Sequence, residues 1–202
     1  MLFTWETITE VEDLEYFIAC YLEEGGFPLS LECLRNKDVM LCKRNGKVVA
    51  GVLFNSQGPF RSFQDIPDDQ LSKVQSAVQL EDCFETMCFW MTPAYRGKLK
   101  SLVIWTSLVR IIIKYPKRQL LVSTVSDGLY RMYRPSGASV IYRGEIFLSQ
   151  EEKLPKYVFH FSQKRYQLAK VWLNTAIMRS AVKPTVRLVK LPLRKLVFRD
   201  GC

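Results

Sequence analysis

The chain has 202 residues, a length that suits one domain or one domain with an extension. Hydrophobic residues make up 48% and charged residues 24%, which excludes a disordered chain, a collagen-like repeat and a disulfide-rich miniprotein. Residues 1–95 hold 7 Lys and Arg against 15 Asp and Glu, whereas residues 96–202 hold 22 against 5. We therefore expect the second half to meet an anionic partner, unless these cations are only solvated surface.

No segment of the sequence is typical of a membrane span or a secretory signal. The longest apolar run, residues 102–113, is too short to cross a bilayer and contains Arg110. The cysteines show no CxxC spacing and are Cys20, Cys33, Cys42, Cys83, Cys88 and Cys202. We interpret them as reduced, mostly buried thiols of a cytoplasmic protein without a metal site. For Cys83 and Cys88 a catalytic role is the alternative to a place in the core.

The first half predicts strands and short helices in alternation. Thr9 begins a T-E-V-E capping box, and apolar residues at helical spacing follow until Gly25-Gly26 ends the helix. Asn45-Gly46 between two apolar runs predicts a hairpin turn. The predicted elements are a strand at 3–5, a helix at 9–22, a helix at 30–35, strands at 38–44 and 47–54, a polar loop at 55–63 and a helix at 68–78.

The second half predicts two strand–helix units and two further strands. Pro135 stops the second of these helices. The predicted elements are a strand at 82–91, a turn at 92–100, a helix at 101–115, a strand at 119–124, a helix at 127–134, strands at 138–148 and 156–162, and an amphipathic helix at 163–182. This order predicts an α/β (α+β) fold, with a mixed sheet that has helices on both faces.

One motif carries chemical information, the stretch M-T-P-A-Y-R-G-K from Met91 to Lys98. It follows a strand and opens a helix, so it presents free backbone N–H groups and a positive helix end to an anion. Arg96, Lys98 and Lys100 add positive charge beside it. A pyrophosphate suits such a turn.

This segment resembles the donor motif of the Gcn5-related N-acetyltransferases (GNAT), in which V-x-P-x-Y-R-G-K-G-x-G holds the pyrophosphate of coenzyme A. In a second family pattern, N-x-x-A-x-x-x-Y-x-x-x-G-F, this chain has Tyr133 at the Tyr position, Gly137-Ala138 at the final pair, and Ser126 in place of the family Asn. The resemblance implies a mostly antiparallel sheet with a central V-shaped splay. It also implies an acyl thioester co-substrate and the donor-binding residues Met91, Arg96, Gly97, Lys98, Leu99, Lys100, Ser101 and Ser126.

The sequence departs from the family motif at Leu99 and Ser101, which stand where family members have glycine. A Cβ at these positions limits how closely a donor approaches the backbone. The turn is therefore either adapted to another donor or partly degenerate. Some GNAT-like enzymes take the acyl group from an acyl carrier protein, which is acidic and would be attracted by the basic half.

The resemblance also implies two catalytic residues. Glu85 matches the general base of the family if the loop differs in length by two residues, and the alternative is an ordinary strand glutamate. Tyr133 matches the tyrosine that protonates the leaving thiolate, and the alternative is a tyrosine packed against the sheet. His160 is the chain's one histidine; we favour a half-buried structural role over a second base.

The resemblance covers residues 1–162 in topology and residues 91–138 in motif, and residues 163–202 form a basic extension with 10 Lys and Arg against 1 acidic residue. This extension predicts contact with an acidic carrier protein, nucleic acid or an anionic membrane surface, or only a solvated basic edge. Aromatic residues predict either core or a channel for a medium or long acyl chain: Phe89, Trp90, Trp105, Phe147 and Phe161. The predicted function is N-acyl transfer to an amine-bearing small molecule or peptide. The alternative is a degenerate GNAT-like binding protein.

Overall fold

The computed structural model describes residues 3–147, 153–163, 165–166 and 175, without the side chains of Lys98 and Phe147. The described residues form the strands β1 Thr4–Ile8, β2 Asp38–Arg44, β3 Lys47–Asn55, β4 Cys83–Met91, β5 Gln119–Thr124, β6 Ser139–Phe147 and β7 Lys153–Ser162. The α-helices are α1 Val11–Glu23, α2 Leu31–Leu34, α3 Asp68–Ser76, α4 Lys98–Lys114 and α5 Asp127–Tyr133.

The strands form a seven-stranded, mostly antiparallel sheet in the order β1-β2-β3-β4-β5-β7-β6. β1 pairs antiparallel with β2, and β7 pairs antiparallel with both β5 and β6. The parallel ladder of β4 and β5 joins Cys83–Glu85 to Gln119–Leu121, and it comprises three residue pairs. Such a short ladder is what a V-shaped splay of these strands requires. The predicted fold class is confirmed.

The described residues fall into two compact units, whose boundaries in the sequence include positions within β4 and within α4. The first unit comprises residues 3–53 and 88–108. Its buried cluster consists of Cys42, Val49, Ala50, Met91 and Ile104. Gly51 permits a close approach in this unit, because a Cβ there would lie 2.4 Å from Nε1 of Trp90. The Trp90 ring in turn lies 6.1 Å from the ring of Phe17, so α1 packs directly on the sheet.

The second unit comprises residues 54–87 and 109–166, apart from the gaps given above. Its core cluster on one face of the sheet consists of Phe63, Ile66, Val74, Cys83, Leu121, Tyr142 and Val158. Phe159 is the neighbour of Val158 along β7 and therefore points to the opposite face. There its ring contacts Tyr130 and Tyr133 of α5. In this unit α3 thus covers one face of the sheet and α5 the other.

The N-terminal capping prediction is wrong. β1 continues to Ile8, so Thr9 lies in the connection and Glu10 is the N-cap of α1, without a side-chain hydrogen bond to the helix. The short helix at α2 is confirmed, with Ser30 as its N-cap. The hairpin turn at Asn45-Gly46 is also confirmed, and both residues have the positive φ that such a turn requires.

Further predictions concern the cysteines and the C-terminus. Cys33 is disulfide-bonded, so the interpretation of all the cysteines as reduced is wrong for this residue, whereas Cys20, Cys42, Cys83 and Cys88 remain thiols. Most of the amphipathic helix predicted at 163–182 and most of the basic extension lie outside the described residues. Within the described part, no helix is long and apolar enough to span a bilayer. The boundary at residue 162 stays a prediction.

Candidate functional site

The turn between β4 and α4 belongs to the first unit and has a defined backbone. The Thr92 N–H donates to the Val49 carbonyl at 3.0 Å, and a single 3-10 turn, Pro93–Tyr95, follows. α4 begins at Lys98, three residues before the predicted start, and its Ser101 N–H donates to the Gly97 carbonyl at 3.0 Å. The N–H groups of residues 98–100 therefore form the open first turn of a helix, which favours an anion.

The side of this turn that carries Gly97 is not packed against other atoms. A Cβ built at Gly97 would meet no atom within 4 Å. Leu99 is 48% exposed, so its side chain stands on the open first turn of α4 rather than in the core. Leu99 thus adds apolar bulk to the first turn of α4, at a position where the family motif has glycine. Ser101, two residues further along α4, is half-buried.

Arg96 is bound on two sides by groups of the first unit. Its Nε donates to the Met91 carbonyl at 2.9 Å, and its Nη2 forms an ion pair with the Glu24 carboxylate at the end of α1. The Arg96 side chain is 44% exposed and the Glu24 side chain 12%. Sequence analysis missed Glu24, since nothing in the sequence connects two residues that lie 72 positions apart.

Two further cations, Arg44 and Lys100, contact the Tyr95 ring at the turn. The Arg44 guanidinium lies 5.5 Å from the centroids of both the Tyr95 and Phe3 rings, and its Nη1 donates to the Tyr95 hydroxyl at 3.4 Å. Nζ of Lys100 lies 5.3 Å from the Tyr95 ring and donates to the Ala94 carbonyl at 3.3 Å. Arg44 was not predicted from the sequence, because it lies at the end of β2. The turn thus has three cations with described positions: Arg44, Arg96 and Lys100.

Glu85 lies in the second unit and is 1% exposed. Its Oε2 accepts a hydrogen bond from the Arg61 N–H at 2.8 Å, and its Oε1 accepts from the Ser62 N–H at 2.6 Å and the Ser62 hydroxyl at 2.5 Å. Burial raises the pKa of Glu85, and these hydrogen bonds oppose the rise. Of about four lone-pair sites on a carboxylate, three are therefore occupied.

From a second strand, Lys156 contacts Gln64 and Asp65, which follow Arg61 and Ser62 in the sequence. It lies on β7, is buried, donates to the Gln64 carbonyl and has its Nζ 3.6 Å from Oδ2 of Asp65. Burial lowers the pKa of Lys156, and Asp65 opposes that shift. Glu85 of β4 thus binds the backbone of the loop predicted at 55–63, and Lys156 of β7 binds the two residues that follow it.

Tyr133 lies at the end of α5, where its ring packs edge-on against Phe159 and Phe161, with centroids 5.3 Å and 6.3 Å away. Burial raises the pKa of Tyr133 above its usual value. The hydroxyl therefore keeps its proton at neutral pH and can act as a donor. Its catalytic role stays a prediction.

Other candidate residues of the second unit have structural contacts. The Ser126 hydroxyl accepts from the Leu129 N–H at 3.4 Å and so caps α5. Burial lowers the pKa of His160, which favours the neutral imidazole, and its Nε2 has no hydrogen-bond partner among the described residues. Burial raises the pKa of the Cys83 thiol to about 11, which suits core packing rather than nucleophilic catalysis. No group of side chains suited to a metal ion occurs in the described ranges.

The aromatic residues predicted as core or channel have different environments. Trp90 and Phe161 are buried, whereas Phe89 and Trp105 are half-buried and contact each other with ring centroids 4.4 Å apart. The Phe147 side chain lies outside the described part of the structure. Core packing therefore accounts for two of the five, and a channel for an acyl chain stays a prediction.

Comparison with known proteins identifies the fold. No protein-family model matches the sequence, and no curated protein is significantly similar to it. Solved structures do match, and they are GNAT-family N-acetyltransferases and related N-acyl synthases. The chain therefore has the GNAT fold, as the motif at 91–98 predicted.

Three of these structures illustrate the likeness. FeeM, an N-acyl amino acid synthase from uncultured soil microbes, matches with a TM-score of 0.62 and 8% identity over 86% of this chain and 98% of its own. MesI, a CoA-dependent acyl-homoserine lactone synthase, matches at 0.57 and 12% over 85% and 95%. An N-acetyltransferase from Staphylococcus aureus matches at 0.54 and 12% over 81% and 99%.

Proposed function

We propose that this protein is an N-acyltransferase that moves an acyl group from a thioester, on coenzyme A or an acyl carrier protein, to an amine. The observation that carries the proposal is the GNAT fold together with a cationic β4–α4 turn at the family's donor position. A cytoplasmic location is part of the same proposal.

The chemistry of the proposed reaction is direct transfer. The neutral amine attacks the thioester carbonyl, the C–N bond forms as the C–S bond breaks, and the thiolate leaves. Tyr133 would return a proton to the thiolate. The proton lost by the amine would go to Glu85 directly or through water, by way of the remaining lone-pair site on Oε2.

The proposed acceptor is an amino acid or a similar small amine. FeeM is described as an N-acyl amino acid synthase and MesI as an acyl-homoserine lactone synthase. Both matched structures therefore act on acceptors related to amino acids, which favours this class over a histone-like peptide. The buried network around Glu85 and Lys156 supports the proposal, because it fixes the loop that carries Arg61, a cation suited to a carboxylate.

We expect medium- or long-chain donors to be preferred over acetyl-CoA. Leu99 and Ser101 reduce pyrophosphate contact, so the acyl chain must contribute more of the binding. Each buried methylene contributes at most about 0.8 kcal/mol, so four of them favour the longer donor by up to about 3 kcal/mol. The measurement is a competition of acetyl, octanoyl and palmitoyl thioesters at low and moderate salt. Acetyl-CoA winning at both salt concentrations would contradict the preference.

We expect the double variant Arg96→Ala, Lys98→Ala to bind acyl-CoA at least about tenfold more weakly, because each charged hydrogen bond to a phosphate contributes about 1.5–3 kcal/mol. The measurement is titration of acyl-CoA against thermal stability. The matched control is Arg110→Ala with Lys114→Ala, which removes the same charge from exposed positions of α4. Unchanged affinity in the first double variant would remove the turn from the donor site.

Complete absence of thioester binding by the wild-type protein would contradict the enzyme proposal itself. In that case, salt-dependent binding of nucleic acid or an acidic protein would favour the degenerate binding protein, whose basic half holds 22 Lys and Arg against 5 acidic residues. The same titration therefore separates the two functions.

A further inference from the structure

The Arg96 guanidinium is already engaged by the protein's own groups. Its Nε donates to Met91 at 2.9 Å, and Nη2 is paired with Glu24. Glu24 is the more enclosed partner, with 12% of its side chain exposed against 44% for Arg96. When an anion approaches from solvent, the positive charge of Arg96 is therefore already paired with the Glu24 carboxylate.

We propose that Glu24 is a specificity-determining residue for the acyl donor, which competes with donor phosphates for the Arg96 guanidinium. The proposal rests on the acyltransferase function given above. A donor held mainly by its phosphates must displace this carboxylate, so a highly charged donor gains less at this turn. Coenzyme A carries a pyrophosphate and a ribose phosphate, whereas phosphopantetheine carries one phosphate. Glu24 thus favours a phosphopantetheine-type donor, such as the arm of an acyl carrier protein, over coenzyme A.

Two further features of the first unit also disfavour coenzyme A relative to phosphopantetheine. The Glu24 carboxylate is largely shielded from solvent, so salt screens its charge less than that of a surface residue. Independently, Leu99 places an exposed side chain where the family has glycine, which keeps a pyrophosphate from the backbone N–H groups.

The test measures binding of coenzyme A and of phosphopantetheine to the full chain by calorimetry. We expect Glu24→Gln to bind coenzyme A about tenfold more tightly, with a smaller change for phosphopantetheine. Glu23→Gln is the matched control, because Glu23 is the exposed neighbour at the end of α1. It should remain within about twofold of wild type for both probes.

Glu24→Asp and the Arg96→Ala background test the same competition in two other ways. Glu24→Asp retains the charge but withdraws it from Arg96 by one methylene, so it too should tighten coenzyme A binding, even if Glu24→Gln fails to fold. In an Arg96→Ala background the gain from Glu24→Gln should disappear, since there is no guanidinium to compete for. A gain that persists in that background overturns competition for Arg96.

The outcomes for this inference and for the proposed function differ. Equal coenzyme A affinity in Glu24→Gln and Glu23→Gln, with a wild-type protein that binds the donor, overturns the role of Glu24 alone. If neither the wild-type protein nor any variant binds either probe, the acyltransferase proposal fails, and the role of Glu24 fails with it.

Discussion

We expect Tyr133→Phe to lower turnover by a factor of about 10²–10⁴, the usual loss when a general acid is removed. The substitution takes away only the hydroxyl, and the ring keeps its edge-on contacts with Phe159 and Phe161. The free energy of unfolding should therefore change by no more than about 1 kcal/mol. The measurement is the turnover rate at saturating donor and acceptor, with a urea unfolding curve for each variant.

Tyr130→Phe is the matched control for this experiment. Tyr130 lies on the same helix, and its ring contacts Tyr157 with centroids 4.3 Å apart, so the variant removes a hydroxyl from a comparable aromatic environment. Its turnover should stay within about twofold of wild type. If Tyr133→Phe turns over as fast as Tyr130→Phe, Tyr133 is a packing residue and another group protonates the thiolate.

Local sequence signals predicted most of the secondary structure, for identifiable reasons. Asn45-Gly46 accepts positive φ at both positions, so the hairpin is encoded in two residues. β5 occurs at Gln119–Thr124 as predicted, because a short apolar run with polar ends suits a buried strand. The start of α1 was mispredicted because pairing of β1 with β2 extends to Ile8, and that pairing is a tertiary effect.

The donor turn was predictable only in part. Its position followed from the motif at 91–98, yet its charge balance did not. Arg44 reaches Tyr95 from the end of β2, and Glu24 reaches Arg96 from the end of α1. Contacts between residues so far apart in sequence depend on the packing of the first unit, and no local pattern records them.

The contacts of Glu85, in the second unit, were likewise not predictable from a local sequence pattern. From the sequence it was a strand glutamate with two alternatives, a general base or a surface residue. In the structure it is buried and accepts three hydrogen bonds from Arg61 and Ser62. The loop at 55–63 was predicted only as polar with Gly and Pro, because Glu85, which binds its backbone, lies on a strand distant in sequence. Its Arg61 N–H and its Ser62 satisfy this buried carboxylate.

We expect Glu85→Gln to be less stable than wild type by about 1–3 kcal/mol in mildly acidic solution. A glutamine amide keeps one acceptor oxygen, but its NH₂ group replaces the other oxygen and faces the Arg61 N–H, which loses its partner. A protonated carboxyl, in contrast, still accepts at both oxygens. Glu81→Gln is the control, because it removes an exposed carboxyl shortly before β4.

The difference between wild type and Glu85→Gln should also depend on pH, with a defined sign. Because burial raises the pKa of Glu85, the folded protein holds this proton more tightly than the unfolded chain. The stability contributed by the protonated carboxyl is complete below its ordinary pKa and is lost as pH rises through the raised value. Wild type should therefore lose its advantage with rising pH, whereas glutamine does not titrate. Urea unfolding from about pH 4 to about pH 8 measures this, and parallel curves for the two proteins would contradict it.

The same variant separates a general base from a positioning residue. If Glu85 accepts the amine proton, Glu85→Gln removes the acidic limb of the pH–rate profile, and the raised pKa of Glu85 places that limb above the usual range of a carboxyl. If Glu85 only fixes the backbone at Arg61 and Ser62, the limb stays and the KM for the acceptor rises. Because Oε2 keeps one of about four lone-pair sites free for a proton, we expect the first result. A retained limb with a raised KM for the acceptor would make Glu85 a positioning residue instead.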